Sequence, residues 1–300
     1  MNANEYVDQW RAALAPRTGD VRLELSTEAA EFLGIPLAEV ERRVDESGAA
    51  FPAEWNRLVS DPSDPEQLTR FYNESSTELF EQIAWHAGDP THGRSFACRE
   101  LALTRPGRDF LDFGSGIGSN AIVFGLAGFR VTLADIADPL RRFARWRCER
   151  RGIDVHDIDL KRERLPRGAY DVVTCFDVLE HVPAPLETVR QIRDALRPHG
   201  VFFLYAPFGF DPDRPQHVVH VDTVTARMRS LGFARYPEWD RRFPHAGDPR
   251  PYERAPRSPV GNAAYYVRDV WLAGAAGDAI ARAVKPLLPK RSAYQPGIRA

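Results

Sequence analysis

The apolar positions of this chain change their period part-way along it. Between Ser26 and His86 they recur at helical spacing. Ser26–Gly34 reads as a short capped helix ended by glycine, Pro36 restarts another, and a longer helix over Glu66 to His86 sets Leu68, Phe71, Phe80, Ile83 and Ala84 on one stripe. From Phe110 onward, short apolar strands alternate with helices. Leu111-Asp112-Phe113 runs into a glycine turn, a helix follows over Asn120–Ala127, and Arg130–Ala134 reads as the next strand. The alternation continues with helices at Pro139–Arg150, Pro185–Leu196 and Asp222–Ser230, and strands at Ile153–Val155, Asp171–Cys175, Val201–Tyr205, Ala234–Glu238 and Ala264–Val270. Between the last two strands, Asp240–Asn262 is rich in proline, arginine and glycine and reads as a long loop. Strand and helix in alternation predict an α/β fold: a mostly parallel seven-stranded sheet with helices on both faces, preceded by a helical extension.

Charge divides the chain at the same place. Residues 1–95 carry 18 acidic and 8 basic side chains, whereas the remaining 205 carry 24 and 32. A helical module over 1–95 and a second domain over 96–300 follow, with the boundary near Gly88–Arg94. The total of −2 makes no global electrostatic case for nucleic acid or an anionic membrane as partner. Two short helices around Gly34-Ile35-Pro36 mimic a helix-turn-helix, but Glu28, Glu31, Glu39 and Glu41 would repel phosphates, so they read as a packing module. From Arg141 to Arg167 basic residues outnumber acids ten to five. There Leu140, Phe143, Ala144 and Cys148 form a buried stripe, and the arginines read as its solvated face. Cys98, Cys148 and Cys175 suggest neither a disulfide framework nor a cysteine-rich zinc site. The start has no basic head before an apolar run, and the longest apolar runs are about half a membrane span, so a soluble cytoplasmic protein is expected. Arginine far exceeds the three lysines, a composition suggestive of a GC-rich bacterial genome and compatible with specialised metabolism.

The chemistry starts at Leu111-Asp112-Phe113-Gly114-Ser115-Gly116-Ile117-Gly118. An apolar strand delivers the chain into three glycines, where a ligand can touch the backbone and helix-start N–H groups face it. At the end of the second strand stands Asp135, placed to accept hydrogen bonds from both hydroxyls of a ribose. Together they read as a nucleoside site. The dinucleotide fingerprint G-x-G-x-x-G would need glycine at Ser119, whereas G-x-G-x-G with Asp112 upstream suits a ligand carrying an amino-acid ammonium.

On LDFGSGIG at 111–118, VTLAD at 131–135 and DVVTCFDVLEHV at 171–182, the chain resembles the class I S-adenosylmethionine-dependent methyltransferases over roughly residues 100–270. The resemblance implies a Rossmann-like fold and S-adenosylmethionine as cofactor, with S-adenosylhomocysteine as product. It places the methionyl and ribose portions on Gly114, Ser115, Gly116 and Gly118, with Asp112 orienting the ammonium and Asp135 gripping the ribose. Ile136 would lie on the adenine face and Asp157 would receive the adenine amine, with Asp159 a rival. Phe176 and Asp177 would flank the methionine portion. The long N-terminal part and the 240–262 stretch depart from the family, and substrate identity is expected there.

A sulfonium methyl is already activated, so proximity and orientation should dominate the transfer to an O, N or C nucleophile of a small metabolite. If a base assists, His181 is the first candidate; its alternative is to brace the next helix. His217, His220 and Asp222 could suggest a metal, but residues three apart in an extended segment face different ways, so no metal is expected and a polar substrate edge or plain packing remains. Tyr72, Phe208, Phe210 and Tyr252 are aromatic candidates for the substrate wall, Tyr72 as part of a lid or of interdomain packing. Cys175 reads as a buried strand-end residue. An NAD-dependent oxidoreductase and a non-catalytic nucleoside- or partner-binding protein are the alternatives. An amphipathic helix over Ala273–Val284 serves a homodimer or its own sheet equally well.

Overall fold

The structure, a computed structural model, describes residues 3–88, 94–236, 239–243 and 250–255. The strand expected at 264–270 and the helix expected at 273–284 lie outside the described residues. The N-terminal part is helical: α1 Ala3–Leu14, α2 Val21–Leu33, α3 Leu37–Leu58, α4 Pro65–Glu74 and α5 Glu78–Gly88. Asp20 caps α2 by accepting from Leu23 N, and Gly34 ends it at φ +68°. The single helix expected over Glu66–His86 is two. Glu54 of α3 accepts hydrogen bonds from Ser75 Oγ, Ser76 N and Oγ, and Thr77 N and Oγ1, at 2.6–3.2 Å, and this cradle breaks the helix between α4 and α5.

After α6 Arg94–Leu103 the alternation runs β1 Asp109–Phe113, α7 Ser119–Gly125, β2 Arg130–Asp135, α8 Asp138–Glu149, β3 Val155–Asp159, β4 Tyr170–Phe176, α9 Pro185–Ala195 and β5 Leu196–Tyr205. The chain then adds β6 Phe233–Arg235, the short α10 Trp239–Arg242 and β7 Arg250–Arg254. The seven strands form one sheet in the order β3-β2-β1-β4-β5-β7-β6. Neighbours from β3 to β5 are parallel, while β7 runs antiparallel to both β5 and β6. Two expectations need correction. The helix over Asp222–Ser230 is only a 3-10 turn at Thr225–Arg227, because Asp222 draws the N–H groups of Val224 and Thr225 onto its side chain. The stretch read as a loop from Asp240 contains β7, whose Tyr252 pairs with Phe202 and Arg235.

Alternation along the strands sorts residues to two cores. Phe110, Val131, Leu133, Val172 and Phe203 pack with α7, α8 and the N-terminal helices, whereas Leu111, Ala134, Val173, Phe202 and Leu204 pack with α9 and the segment after β5. Tyr6, Trp10 and Leu25 belong to the first of these cores, so the acidic extension shares the sheet's own interior. A smaller cluster of Phe51, Trp55, Val59, Leu68 and Phe71 sits between α3 and α4 and packs against Tyr72.

The Glu54 cradle makes a pH-dependent contribution to stability. Burial alone would raise the carboxyl, but the hydrogen bonds from Thr77, Ser75 and Ser76 prevail and hold it down at about 2. A folded-state value below the unfolded one, about 4.3, means stabilisation that is complete above that value and lost as pH falls through about 2. Glu54→Gln should lower stability by roughly 1–3 kcal/mol at pH 7 in urea titrations, and the gap to the parent should close between pH 5 and pH 2. A gap independent of pH would assign Glu54 a packing role only.

Candidate functional site

Strand order reverses between β1 and β4, so their following loops leave the sheet in opposite directions and open a crevice at its carboxyl edge. A cavity of about 340 Å³ lies there. Gly114, Gly116, Asp135, Ile136 and Asp177 form its sheet side; Tyr72, Glu78, Glu81, Gln82 and Trp85 face them from α4 and α5. No helix among the described residues is long and apolar enough to cross a membrane.

The glycine turn and Asp135 meet as expected. Gly114 N donates to Ala134 O at 2.8 Å, and the two Asp135 oxygens accept from Gly116 N and Ala137 N, each at 2.9 Å. Gly114 has φ +70°, and a Cβ on it would overlap Val178 Cγ2; at Gly118, φ +77°, a Cβ would sit 2.8 Å from Ala144 Cβ. The first glycine therefore keeps the cavity floor low, and the third lets α7 close onto α8. Burial raises the Asp135 carboxyl, against the pull of those backbone N–H groups.

Other expected ligand residues divide. Ile136 and Asp177 line the cavity, Asp177 with its backbone in the left-handed region at φ +53°. Phe176 instead packs into the core. Asp112 is buried beneath the turn, accepting from Thr174 Oγ1 at 2.8 Å and Ala121 N at 3.2 Å, and burial pushes it up to about 7. It fastens α7 to β4 and is not among the cavity-lining residues. Gly118 and the buried Ser115 are likewise behind the wall. Asp157, expected against adenine, is engaged by Arg141 at 2.7 Å and by Arg145 of α8. Its neighbour Asp159 is held by Lys161 at 3.2 Å, and Leu160 and Glu163 line that edge instead.

Of the substrate candidates, Tyr72 and His217 are on the wall. Tyr252 is buried in the sheet core, Phe208 packs against that core, and His220 is exposed with its ring 5.4 Å from that of Phe210. The physical reason is the return of the chain into the sheet at β7, which takes Tyr252 away from the carboxyl edge. His181 lines the cavity, its Nδ1 2.9 Å from Gln216 O; burial, then the neighbouring His217, pushes its imidazole down to about 3. It is neutral near pH 7 but a weak base.

The α5 wall was not foreseen. Glu78, Glu81, Gln82 and Trp85 share one face of that helix, whereas the apolar stripe visible in the sequence consists of Phe80, Ile83 and Ala84. Burial raises Glu78 to about 8 and Glu81 to about 6, Arg214 pulling the latter back. Arg214 lies over the Trp85 ring at 4.6 Å. Asn73 of α4, next to Tyr72, braces the wall: it donates to Ile136 O at 3.0 Å and accepts from Asp138 N at 3.1 Å.

The turn is anchored from behind by a buried ion pair. Arg147 of α8, fully buried, donates to Ile117 O inside the turn and to Glu28 of α2 at 2.7 Å, and Arg151 donates to the other Glu28 oxygen at 2.6 Å. Arg147→Met leaves the buried Glu28 with Arg151 as its remaining ion-pair partner and removes the bond to Ile117 O, so it should cost about 3–5 kcal/mol in urea unfolding. Glu28→Gln/Arg147→Met together should cost clearly less than the sum of the singles. Additivity within about 0.5 kcal/mol would mean that the two side chains do not act as one clamp.

A family model described as "Methyltransferase domain" matches residues 91–263. The ubiquinone biosynthesis O-methyltransferase of Bordetella avium is 38% identical over 109 residues, 35% of this chain and 45% of that protein. The protein of the same name from Xanthomonas campestris is 29% identical over 154 residues, 47% of this chain and 64% of that one. The matches thus span about half the length of these relatives. Among solved structures, Burkholderia thailandensis 1,6-didemethyltoxoflavin-N1-methyltransferase, with bound 1,6-didemethyltoxoflavin and S-adenosylhomocysteine, has a TM-score of 0.49 at 20% identity, covering 66% of this chain and 92% of that chain.

Proposed function

Because the chain belongs to the methyltransferase-domain family, we propose that it transfers a methyl group from S-adenosylmethionine to a nucleophilic oxygen, nitrogen or carbon of a small metabolite. The observation that carries the reading is the hydrogen-bonded union of the Gly114–Gly116 turn with Asp135 at the point where strand order reverses. Each Asp135 oxygen keeps a lone pair beyond those used by Gly116 and Ala137, so the carboxylate can still accept from ribose hydroxyls. Ile136 offers an apolar face for adenine beside it. The names of the Bordetella and Xanthomonas relatives favour oxygen as the acceptor atom.

The cofactor brings a sulfonium and an ammonium, and the cavity meets them with Asp135, Asp177, Glu78, Glu81 and Glu163. Chemistry there is nucleophilic displacement: the acceptor–methyl bond forms as the sulfur–methyl bond breaks, and the electron pair stays on sulfur. Alignment within the cavity can supply about 7–11 kcal/mol, more than a general base, typically worth about 10²–10⁴ in rate. Tyr72, Phe51 and Trp85 supply apolar wall for the acceptor and help to exclude water. The α4–α5 segment is then a substrate-binding wall.

Calorimetry with S-adenosylhomocysteine and with NAD tests the cofactor, and labelled-methyl transfer to pooled metabolites tests turnover. Asp135→Ala should weaken S-adenosylhomocysteine binding at least about 10-fold, more than the loss of a single neutral hydrogen bond. NAD binding in preference would favour the oxidoreductase reading, and tight S-adenosylhomocysteine binding without turnover on any pool would favour a non-catalytic nucleoside-binding protein. A second expectation follows from Glu78 and Glu81, raised to about 8 and about 6 by burial. A cation binds their ionised forms better, so affinity for S-adenosylmethionine relative to S-adenosylhomocysteine should rise as pH rises from 5 to 9. Glu78→Gln should remove the upper part of that rise; an unchanged profile would place Glu78 out of reach of the sulfonium.

A further inference from the structure

Beside the cofactor crevice, the loops after β4 and β5 are stitched together. Val219 N donates to Glu180 O at 3.0 Å, and the His181 ring bonds through Nδ1 to Gln216 O at 2.9 Å. A carbonyl only accepts, so Nδ1 carries the proton and Nε2 holds a free lone pair. That lone pair lies 3.8 Å from Glu180 Oε1. Glu180 is fully buried, and neither of its carboxylate oxygens has a hydrogen-bond partner on another residue. Buried carboxylates are normally paired, hydrogen-bonded or bound to a metal. His217, also buried, turns its ring edge-on to His181 with centroids 5.0 Å apart, and one ligating atom from each of the three residues lies within 4.8 Å of the others.

We propose that Glu180, His181 and His217 form a three-ligand site for a divalent transition metal, with further coordination positions open to the cavity that both histidines line. Two imidazoles and one carboxylate are a donor set for zinc or iron rather than for magnesium or calcium. Metal–ligand bonds of about 2.0 Å at tetrahedral angles put donor atoms roughly 3.3 Å apart, so ligation would draw these side chains together. The hydrogen bond from His181 Nδ1 to a backbone carbonyl is the outer-shell contact that orients a metal-bound imidazole. By sequence His217 falls with His220 and Asp222, where no metal is expected; in the structure His220 is exposed and the partners of His217 come from the loop after β4. Resting on the methyl-transfer reading, the site's use would be to bind an acceptor hydroxyl or chelating pair of oxygens. The metal would promote loss of the hydroxyl proton to water and hold the oxygen anion as it takes the methyl group.

The full-length protein, stripped with a chelator, should be titrated with zinc by calorimetry and with cobalt(II) by visible absorption, with S-adenosylhomocysteine titrated in parallel. Expected are one metal per chain, the strong visible bands of low-coordinate cobalt, and at least about 10-fold weaker binding in Glu180→Gln and in His217→Ala. His220→Ala should bind metal as the parent does. Either of the first two variants that still binds S-adenosylhomocysteine reports on the site rather than on folding. Absence of stoichiometric metal in the parent, or equal metal affinity in both site variants, would overturn the proposal even with S-adenosylhomocysteine bound. Metal binding without any S-adenosylhomocysteine binding would overturn the cofactor reading and leave the metal site standing.

Discussion

The Arg147–Glu28–Arg151 cluster is the constraint on which the site depends. A glycine turn that exposes its backbone to a ligand has few side chains of its own to hold it. Here Arg147 reaches Ile117 O from α8 and carries the load back to Glu28 on α2. Burial disfavours the charged guanidinium and lowers its pKa, while Glu28 opposes that shift. The arrangement is worthwhile only with every partner present, because in such a setting an unpaired charge costs more than the pair contributes. It also explains why the N-terminal helices share the sheet's core rather than forming a separate appendage.

The crevice in front of that clamp is built from elements far apart in the chain. Its floor is the β1 turn, one side is the end of β2, and its far wall is α5, held at its angle by the Glu54 cradle. Asn73 ties the α4 end of that wall to Ile136 and Asp138. Burial raises the carboxyls of Glu78 and Glu81, and at Glu78 the neighbouring Glu81, Asp135 and Glu54 add to that rise. A cationic ligand placed beside them would favour their ionised forms.

Local signals were strong where one residue type had one physical job. Gly114 and Asp135 were legible because a turn of positive φ and a strand-end acid have narrow structural meanings. The α/β order was legible because Phe110 and Leu111, Val172 and Val173, or Phe202 and Phe203 face opposite cores from adjacent positions. The pairing of Asp157 with Arg141 and Arg145 was not legible, because one residue in a strand of alternating acids does not reveal which face meets arginine and which meets the crevice. The long helix over Glu66–His86 was misread for a related reason: Ser75, Ser76 and Thr77 can continue a helix unless a buried acid from elsewhere claims their donors.

The sequence by itself determined the strand–turn–helix grammar, the glycine turn with the acid at the end of the next strand, and an acidic extension ahead of the sheet. These rest on backbone sterics and on hydrophobic period, which act between residues close in sequence. Tertiary structure alone decided that α5 walls the crevice, that Tyr252 returns into the core, and that Glu180, His181 and His217 converge. Those outcomes depend on which of several equally polar or equally apolar faces another element happens to cover, and that choice is made by packing across the whole chain.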